Sequence, residues 1–397
     1  MTCRARAAHV KACDPMAREW TINGRFLTQR TTGVQRYGRE IVSAIDALIC
    51  GNHPLAEGLS VRLLVPGSYQ GELPSFGGID VQRVGRLKGH LWEQIELPVH
   101  ARGGLLSLCN TGPIARSKQI VCIHDLNHLF FPDSYSPTFR LGYSILLPSL
   151  GRVAARVATV SAFSAQVLAE HRMTGGRAPI IACNGHEHVN RWRRCDSERP
   201  TAGPDTILIL GSLARHKNIS LLLDLAPQLV AHGIEIAVVG ACDQRVFNAP
   251  GGMSGTPAGV RWLGSLTDDE LAKTMQRALC LAFPSLMEGF GLPPLEAMAL
   301  GCPVVSSNCA SLPEVCGNAA LYASPTVADE WLDCFVALRT NPQLRQDLIA
   351  RGRIRAAEFS WPRSATVYLD ALAQLDGVSS LSESAVAGRA CGAPAHT

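Results

Sequence analysis

Residues 280–301, CLAFPSLMEGFGLPPLEAMALG, change character in the middle of one short stretch. Cys280 to Ser285 is apolar at nearly every position, as in a strand covered on both faces. Pro293-Pro294 cannot lie inside an unbroken helix, but a proline suits a helix's first turn, where its missing N–H would have had no partner. The stretch therefore reads as strand, glycine turn, helix. In parallel α/β sheets such turns lie at the edge where ligands bind. Gly289 and Gly291 let backbone approach a ligand closely. The helix start behind them favours an anion. Glu296, placed in the first turn of that helix, would repel a phosphate and suits a neutral diol such as a ribose. Glu288, before the turn, faces the other end of the ligand. Two acceptors flanking an anion site fit a nucleoside diphosphate with a sugar at each end. The plain alternative is a connection in which Glu296 is only a helix charge, and spacing leaves both readings open.

The same alternation extends outward. TILIL (206–210), IEIAVVG (234–240), VRWLG (260–264) and PVVSS (303–307) read as strands, and 218–233, 267–278, 327–340, 342–357 and 361–376 as helices. Thr267/Glu270 and Ser311/Glu314 have the spacing of capping boxes. In the first half VRLLVP (61–66), QIVCI (119–123) and RVATVS (156–161) read as strands and 33–49 as a helix. The expected class is α/β, with two Rossmann-like, doubly wound parallel-sheet domains facing a cleft. Their spans are 20–195 and 196–360, joined through a polar, turn-rich linker at 193–205. Residues 1–19 and 377–397 are expected to be disordered.

Of the 397 residues, 47% are hydrophobic and 18% charged, enough for large cores. A net charge of +4 does not call for a nucleic-acid partner. No run reaches the length of a membrane span. LGYSILLPSLG (141–151), broken by Pro148, reads as a core helix whose Arg-flanked ends could touch a membrane surface. The N-terminus lacks a signal-peptide apolar region, and Met16 offers a second start. Fourteen cysteines include no C-x-x-C pair, and Cys302, Cys309 and Cys316 read as reduced small hydrophobes rather than zinc ligands. His186 and His188 in NGHEHV read as a polar loop.

FPSLMEGFGLPPLEAMALGCPVVSSNCASLPEVCGNAALYASP resembles the E-x7-E region of retaining GT-B glycosyltransferases of family GT4. VRWLGSLTDDEL, FSWPRSATVYLDAL, TTGVQRYGREI, GHLWEQIELP, VCIHDLNHLFFPD, VATVSAFSA and CNGHEHV resemble further landmarks, so the likeness covers about residues 20–375. It implies a GT-B fold whose helix 361–376 crosses back to the first domain. It also implies that Glu296 holds the ribose and that Glu288 meets the transferred sugar or supports charge at its anomeric carbon. Backbone of Gly289, Phe290, Gly291 and Leu292 would hold sugar and phosphate, and Gly33 would meet the diphosphate or acceptor. Arg215 and Lys217 would neutralise the leaving diphosphate. Relatives often have arginine just before that lysine, where this chain has His216. His124 would contact the donor sugar, and Asp125 would organise its loop. The catalytic set so implied is Glu288, His124 and Lys217.

The activity implied is retaining transfer of a hexose, with mannose from GDP-mannose first and a UDP-hexose or deoxysugar donor next. The acceptor implied is a glycan or polyprenyl-linked oligosaccharide of surface polysaccharide synthesis. The expected location is cytoplasmic, with peripheral contact at the inner membrane face. No carboxylate is placed as a double-displacement nucleophile, which favours front-face departure and attack. No D-x-D motif is present, so no metal and no cofactor is expected. The alternatives are a non-catalytic nucleotide-sugar binder of a polysaccharide assembly and a GT-B nucleotide-sugar epimerase. A dinucleotide oxidoreductase lacks its G-x-G-x-x-G after a strand.

Overall fold

Short apolar strands and longer amphipathic helices alternate through the computed structural model, which describes residues 18–192, 202–211, 214–240 and 257–378. The expected disordered ends and linker fall mostly outside these. Where they fall inside, Arg18 and Glu19 already belong to the first strand.

Two parallel sheets result. The first is ordered β3-β2-β1-β4-β5-β6-β7. Its strands are β1 Arg18–Asn23, β2 Leu59–Pro66, β3 Ile79–Val84, β4 Gly104–Ser107, β5 Gln119–Cys122, β6 Arg156–Thr159 and β7 Ile180–Ile181. The second is ordered β10-β9-β8-β11-β12-β13. Its strands are β8 Thr206–Leu210, β9 Glu235–Val239, β10 Val260–Gly264, β11 Cys280–Phe283, β12 Val304–Ser307 and β13 Ala320–Ala323. All paired strands run parallel. β4, β5, β11 and β12 are buried at every residue, as in strands covered on both faces. Each sheet reverses its strand order once, between β1 and β4 and between β8 and β11. Those reversals open a crevice at the strands' carboxyl ends.

The helices of the first domain are α1 Gly33–Cys50, α2, α3 Pro137–Val153 and α4 Ala162–Glu170. α2 runs through Gly89–Leu91, a π-helical turn Trp92–Glu96 and Leu97–His100. The second domain carries α5 Ile219–Asp224, α6 Ala226–Ala231, α7 Asp268–Arg277, α8 Leu292–Leu300, α9 Leu312–Cys316, α10 Ala328–Thr340 and α11 Pro342–Ala357. α12, Trp361–Leu375, lies against the first domain. There Tyr368 and Tyr37 join their hydroxyls at 2.9 Å, and Ser364 Oγ donates to Cys183 O. Just past its end, Asp376 accepts from Arg18 and from the indole of Trp20, both at 2.9 Å.

Three readings change. The helix expected over 218–233 breaks at Leu225, where Pro227 lies in the first turn of α6 and cannot continue α5's hydrogen bonding. The Thr267/Glu270 capping box forms, but the Ser311/Glu314 pair does not. Ser311 Oγ instead donates to the carbonyls of Glu288 and Phe290. The Glu314 carboxylate crosses to the other domain and accepts from Ala162 N and Phe163 N, at 2.7 and 3.0 Å, capping α4. Finally, α3 is not a core helix throughout. Leu147, Leu150 and Gly151 are buried, whereas Leu141 and Ile145, one turn apart, are 65% and 60% exposed.

Candidate active site

The crevice between the sheets is a cleft of about 750 Å³, lined from both domains. Two helix starts face each other across it. α1 begins at Gly33, and a Cβ there would find only Leu292, the first residue of α8, at 4.0 Å. Both helix dipoles therefore present their positive ends to the same space.

The turn before α8 is shaped by two demands. A Cβ on Gly289 would lie 2.3 Å from His124 O, so the second domain's turn touches the first domain's strand end only because position 289 is bare. Gly289 O accepts from Ser161 Oγ at 2.6 Å and Ser164 Oγ at 2.9 Å. Gly291 has φ +107°, left-handed backbone that favours glycine. The carbonyls of this turn are thus engaged with protein. Among the described residues, the amides of Gly289, Phe290, Gly291 and Leu292 have no protein acceptor. The two residues that follow, Pro293 and Pro294, carry no N–H, so α8's free donors come from the turn and its first residue. Buried amides without partners are rare in folded proteins, and a row of them at a helix start has the donors to cradle an anion.

At one end of the cradle, Lys217 Nζ donates to Glu288 Oε1 at 2.7 Å, with the side chains 24% and 13% exposed. Beside them, His124 is buried with its ring edge-on to Tyr37. His124 Nε2 donates to Leu108 O at 2.8 Å, which leaves Nδ1 as the atom able to meet a ligand. Asp125 Oδ1 accepts from Asn127 N at 3.0 Å, a loop-organising bond. Burial, with Glu288 nearby, raises the Asp125 carboxyl above its ordinary range.

At the other end, Glu296 lies past the first turn of α8, as its fifth residue, and is 5% exposed. Its Oε1 accepts from His188 Nε2 at 2.9 Å and lies 3.7 Å from Arg36 Nε. His188 Nδ1 in turn accepts from Trp361 Nε1 at 3.1 Å, which fixes the Nε2–H tautomer. Arg36, on α1, makes a bidentate pair with Asp268 of α7 at 2.7 and 3.0 Å and lies over the Trp192 ring. One oxygen of Glu296 stays free of these contacts, suited to a hydroxyl.

The sequence-picked residues Gly33, His124, Lys217, Glu288, Gly289, Phe290, Gly291, Leu292 and Glu296 all line this cleft. Arg215 does not; its side chain is 75% exposed and 3.4 Å from Asp133. His216 lines the cleft instead, and burial, then Lys217, lowers it below the imidazole range, so it adds no cation at neutral pH. Sequence reasoning missed Arg36 and treated His188 as loop, because both act on a glutamate far away in sequence. Asn127 and Asn184 were also missed, and each has an amide oxygen enclosed without a partner beside the cleft. Among the described residues no group of three or more His, Cys, Asp or Glu could hold a metal ion.

Two facing α/β domains with the site between them define a GT-B-type architecture, and solved structures agree. WaaG, a glycosyltransferase involved in lipopolysaccharide biosynthesis, superposes with a TM-score of 0.62 at 17% identity, covering 89% of this chain and 99% of that one. Sucrose-phosphate synthase from Thermosynechococcus elongatus gives 0.64 at 16%, covering 91% and 100%. Residues 191–355 match the family model Glycosyl transferases group 1. O-antigen chain mannosyltransferase B of Escherichia coli is 41% identical over 112 residues, 28% of this chain and 29% of that protein's length. O-antigen chain mannosyltransferase RfbU of Salmonella typhimurium is 26% identical over 259 residues, 64% of this chain and 68% of RfbU.

Proposed function

We propose that the protein is a retaining glycosyltransferase moving a hexose, mannose from GDP-mannose in the first instance, to a glycan or polyprenyl-linked oligosaccharide in surface polysaccharide synthesis. The observation that carries this reading is the row of unpartnered amides at 289–292 beneath two helix starts. The likeness to O-antigen mannosyltransferases favours mannose and a glycan acceptor.

In this reading the diphosphate rests on those amides and the ribose bonds the free oxygen of Glu296. Lys217 turns from Glu288 to the departing diphosphate, which it stabilises as a charge-assisted donor. Glu288, released from Lys217, meets the sugar where positive charge develops. Departure and attack occur on one face of the sugar, with the leaving diphosphate taking the acceptor hydroxyl's proton, so no enzyme nucleophile is required. Arg215 stays outside, leaving Lys217 as the cation at this end. The reaction is proposed to need no metal, so turnover survives excess EDTA.

Peripheral membrane contact belongs to the same proposal. Leu91, Ile95 and Val99 of α2 are 62%, 55% and 79% exposed, and Leu141 and Ile145 of α3 are exposed as well. The two helices meet where the rings of His90 and Tyr143 lie 6.2 Å apart. Among the described residues no helix is long and apolar enough to cross a membrane. Co-sedimentation with anionic vesicles, lost in a Leu141→Ser/Ile145→Ser variant, is the expected result.

The decisive test of the function is a thermal-shift panel of nucleoside diphosphates and their sugars, since a ligand of the native state raises the melting temperature. GDP and GDP-mannose are expected to stabilise most. Stabilisation by UDP compounds would replace the donor, and stabilisation by none would overturn the reading.

A further inference from the structure

An aromatic row enters the cleft on the first domain's side. Tyr135, just before α3, and Phe139 and Tyr143 on it follow one another at every fourth residue. Tyr135 and Phe139 stack with centroids 5.2 Å apart and planes at 15°, and Phe139 and Tyr143 with 4.0 Å and 23°. All three are only partly buried, and of them Tyr143 packs against the first domain's core. Tyr135 and Phe139 line the cleft that holds Glu288 and His124.

Polar groups without protein partners accompany the row. The Asn127 side-chain amide lines the same cleft, and its oxygen is enclosed and unbonded. A half-turn of that amide exchanges donor and acceptor, so it can serve a hydroxyl in either sense. His128 Nε2 is likewise unbonded, its ring against Tyr143 at 5.5 Å. Two carboxylates, Asp125 and Glu288, line the same cleft, and Lys217 there is bonded to Glu288. Burial, then Asp125 and Glu288, push the Tyr135 phenol up to about 12. The nearest arginine before Lys217, Arg215, is turned to Asp133.

An aromatic face beside an unbonded amide matches one chemistry. A pyranose ring has an apolar C–H face and hydroxyls around its edge, and it carries no charge. Resting on the glycosyl-transfer reading of the cleft, we propose that Tyr135 and Phe139 are the platform on which the acceptor's neutral pyranose stacks, with Asn127 bonding one of its hydroxyls. A phosphorylated acceptor unit would meet the Asp125 and Glu288 carboxylates there, with Lys217 already bonded to Glu288, so the position disfavours it.

Saturation-transfer NMR on the full chain tests this without relying on turnover. The probes are methyl α-D-mannopyranoside and methyl β-D-galactopyranoside, with myo-inositol 1-phosphate as the anionic comparison, each with and without GDP. The pyranoside ring protons are expected to receive saturation and the inositol phosphate none. Phe139→Ala should weaken pyranoside binding about fivefold or more. Phe139→Trp should restore it and Phe139→Leu should not, because leucine keeps apolar bulk but has no aromatic face. Asn127→Ala should weaken it as well. The proposal is overturned by equal signals in wild type and Phe139→Ala, by leucine restoring as well as tryptophan, by a dominant inositol phosphate signal, or by no pyranoside signal at millimolar concentration. Calorimetry with GDP separates the two readings. Pyranoside binding without nucleotide binding keeps the platform and removes the transferase. Nucleotide binding without pyranoside binding does the reverse.

Discussion

At the Glu296 end of the cleft, polar groups are held by other protein groups: His188 bonds Glu296 through one nitrogen and Trp361 through the other, and Arg36 spans to Asp268. At the Glu288 end the Lys217–Glu288 pair sits among groups that have no partner among the described residues: the amides of 289–292, the Asn127 side-chain oxygen and His216 Nδ1. The contrast separates two jobs. A buried, mutually bonded network holds its geometry before any ligand arrives, which suits recognition of an unchanging part such as a nucleoside. A lone pair amid unused donors stores bonding capacity for charge that appears only during reaction.

The contrast can be broken by substitution. Glu288→Ala should lower kcat on the order of a hundredfold to a thousandfold with little change in melting temperature. It should also tighten GDP binding, because Lys217 loses its internal partner. Steady-state kinetics and calorimetry read both, and near-normal turnover would remove Glu288 from the chemistry. Lys217→Ala should weaken GDP by about 1.5–3 kcal/mol, the worth of a hydrogen bond to a charged group. Unchanged calorimetric affinity would free the diphosphate of this lysine. His188→Ala should act on stability first, since it removes the hydrogen bond to buried Glu296 and leaves the Trp361 indole buried without a partner, at about 1–3 kcal/mol for the unsatisfied group. A denaturant melt that did not move would mean the Glu296 end is not the pre-formed network described. Glu314→Ala should cost about 0.5–2 kcal/mol through the lost cap on α4. Arg215→Ala should change GDP affinity and stability by about 1 kcal/mol at most, as expected of an exposed pair.

Sequence reading went furthest where local chemistry decides the outcome. β11 and β12 announce themselves because both faces are covered, and Pro293-Pro294 marks the start of α8 whatever surrounds it. β1, REWTIN, has only two apolar residues, Trp20 and Ile22, and so lacks a strand signature of its own, although all six of its residues pair with β2. Ser311 and Glu314 have the spacing of a capping box, yet tertiary partners claim both. The same limit hid Arg36 and His188. Neither residue carries a local sign that its partner lies on α8, 260 and 108 residues away. Apolar composition around 141–151 predicted helix but could not tell a core face from the exposed Leu141 and Ile145.

The cradle itself can be watched by recording amide ¹H–¹⁵N spectra of residues 289–292 while GDP is added. The account predicts that the Gly289, Phe290 and Gly291 resonances move as the nucleotide saturates, and that Lys217→Ala reduces the affinity read from those shifts. Saturable nucleotide binding that leaves these resonances still, with changes gathered elsewhere on the chain, would contradict it.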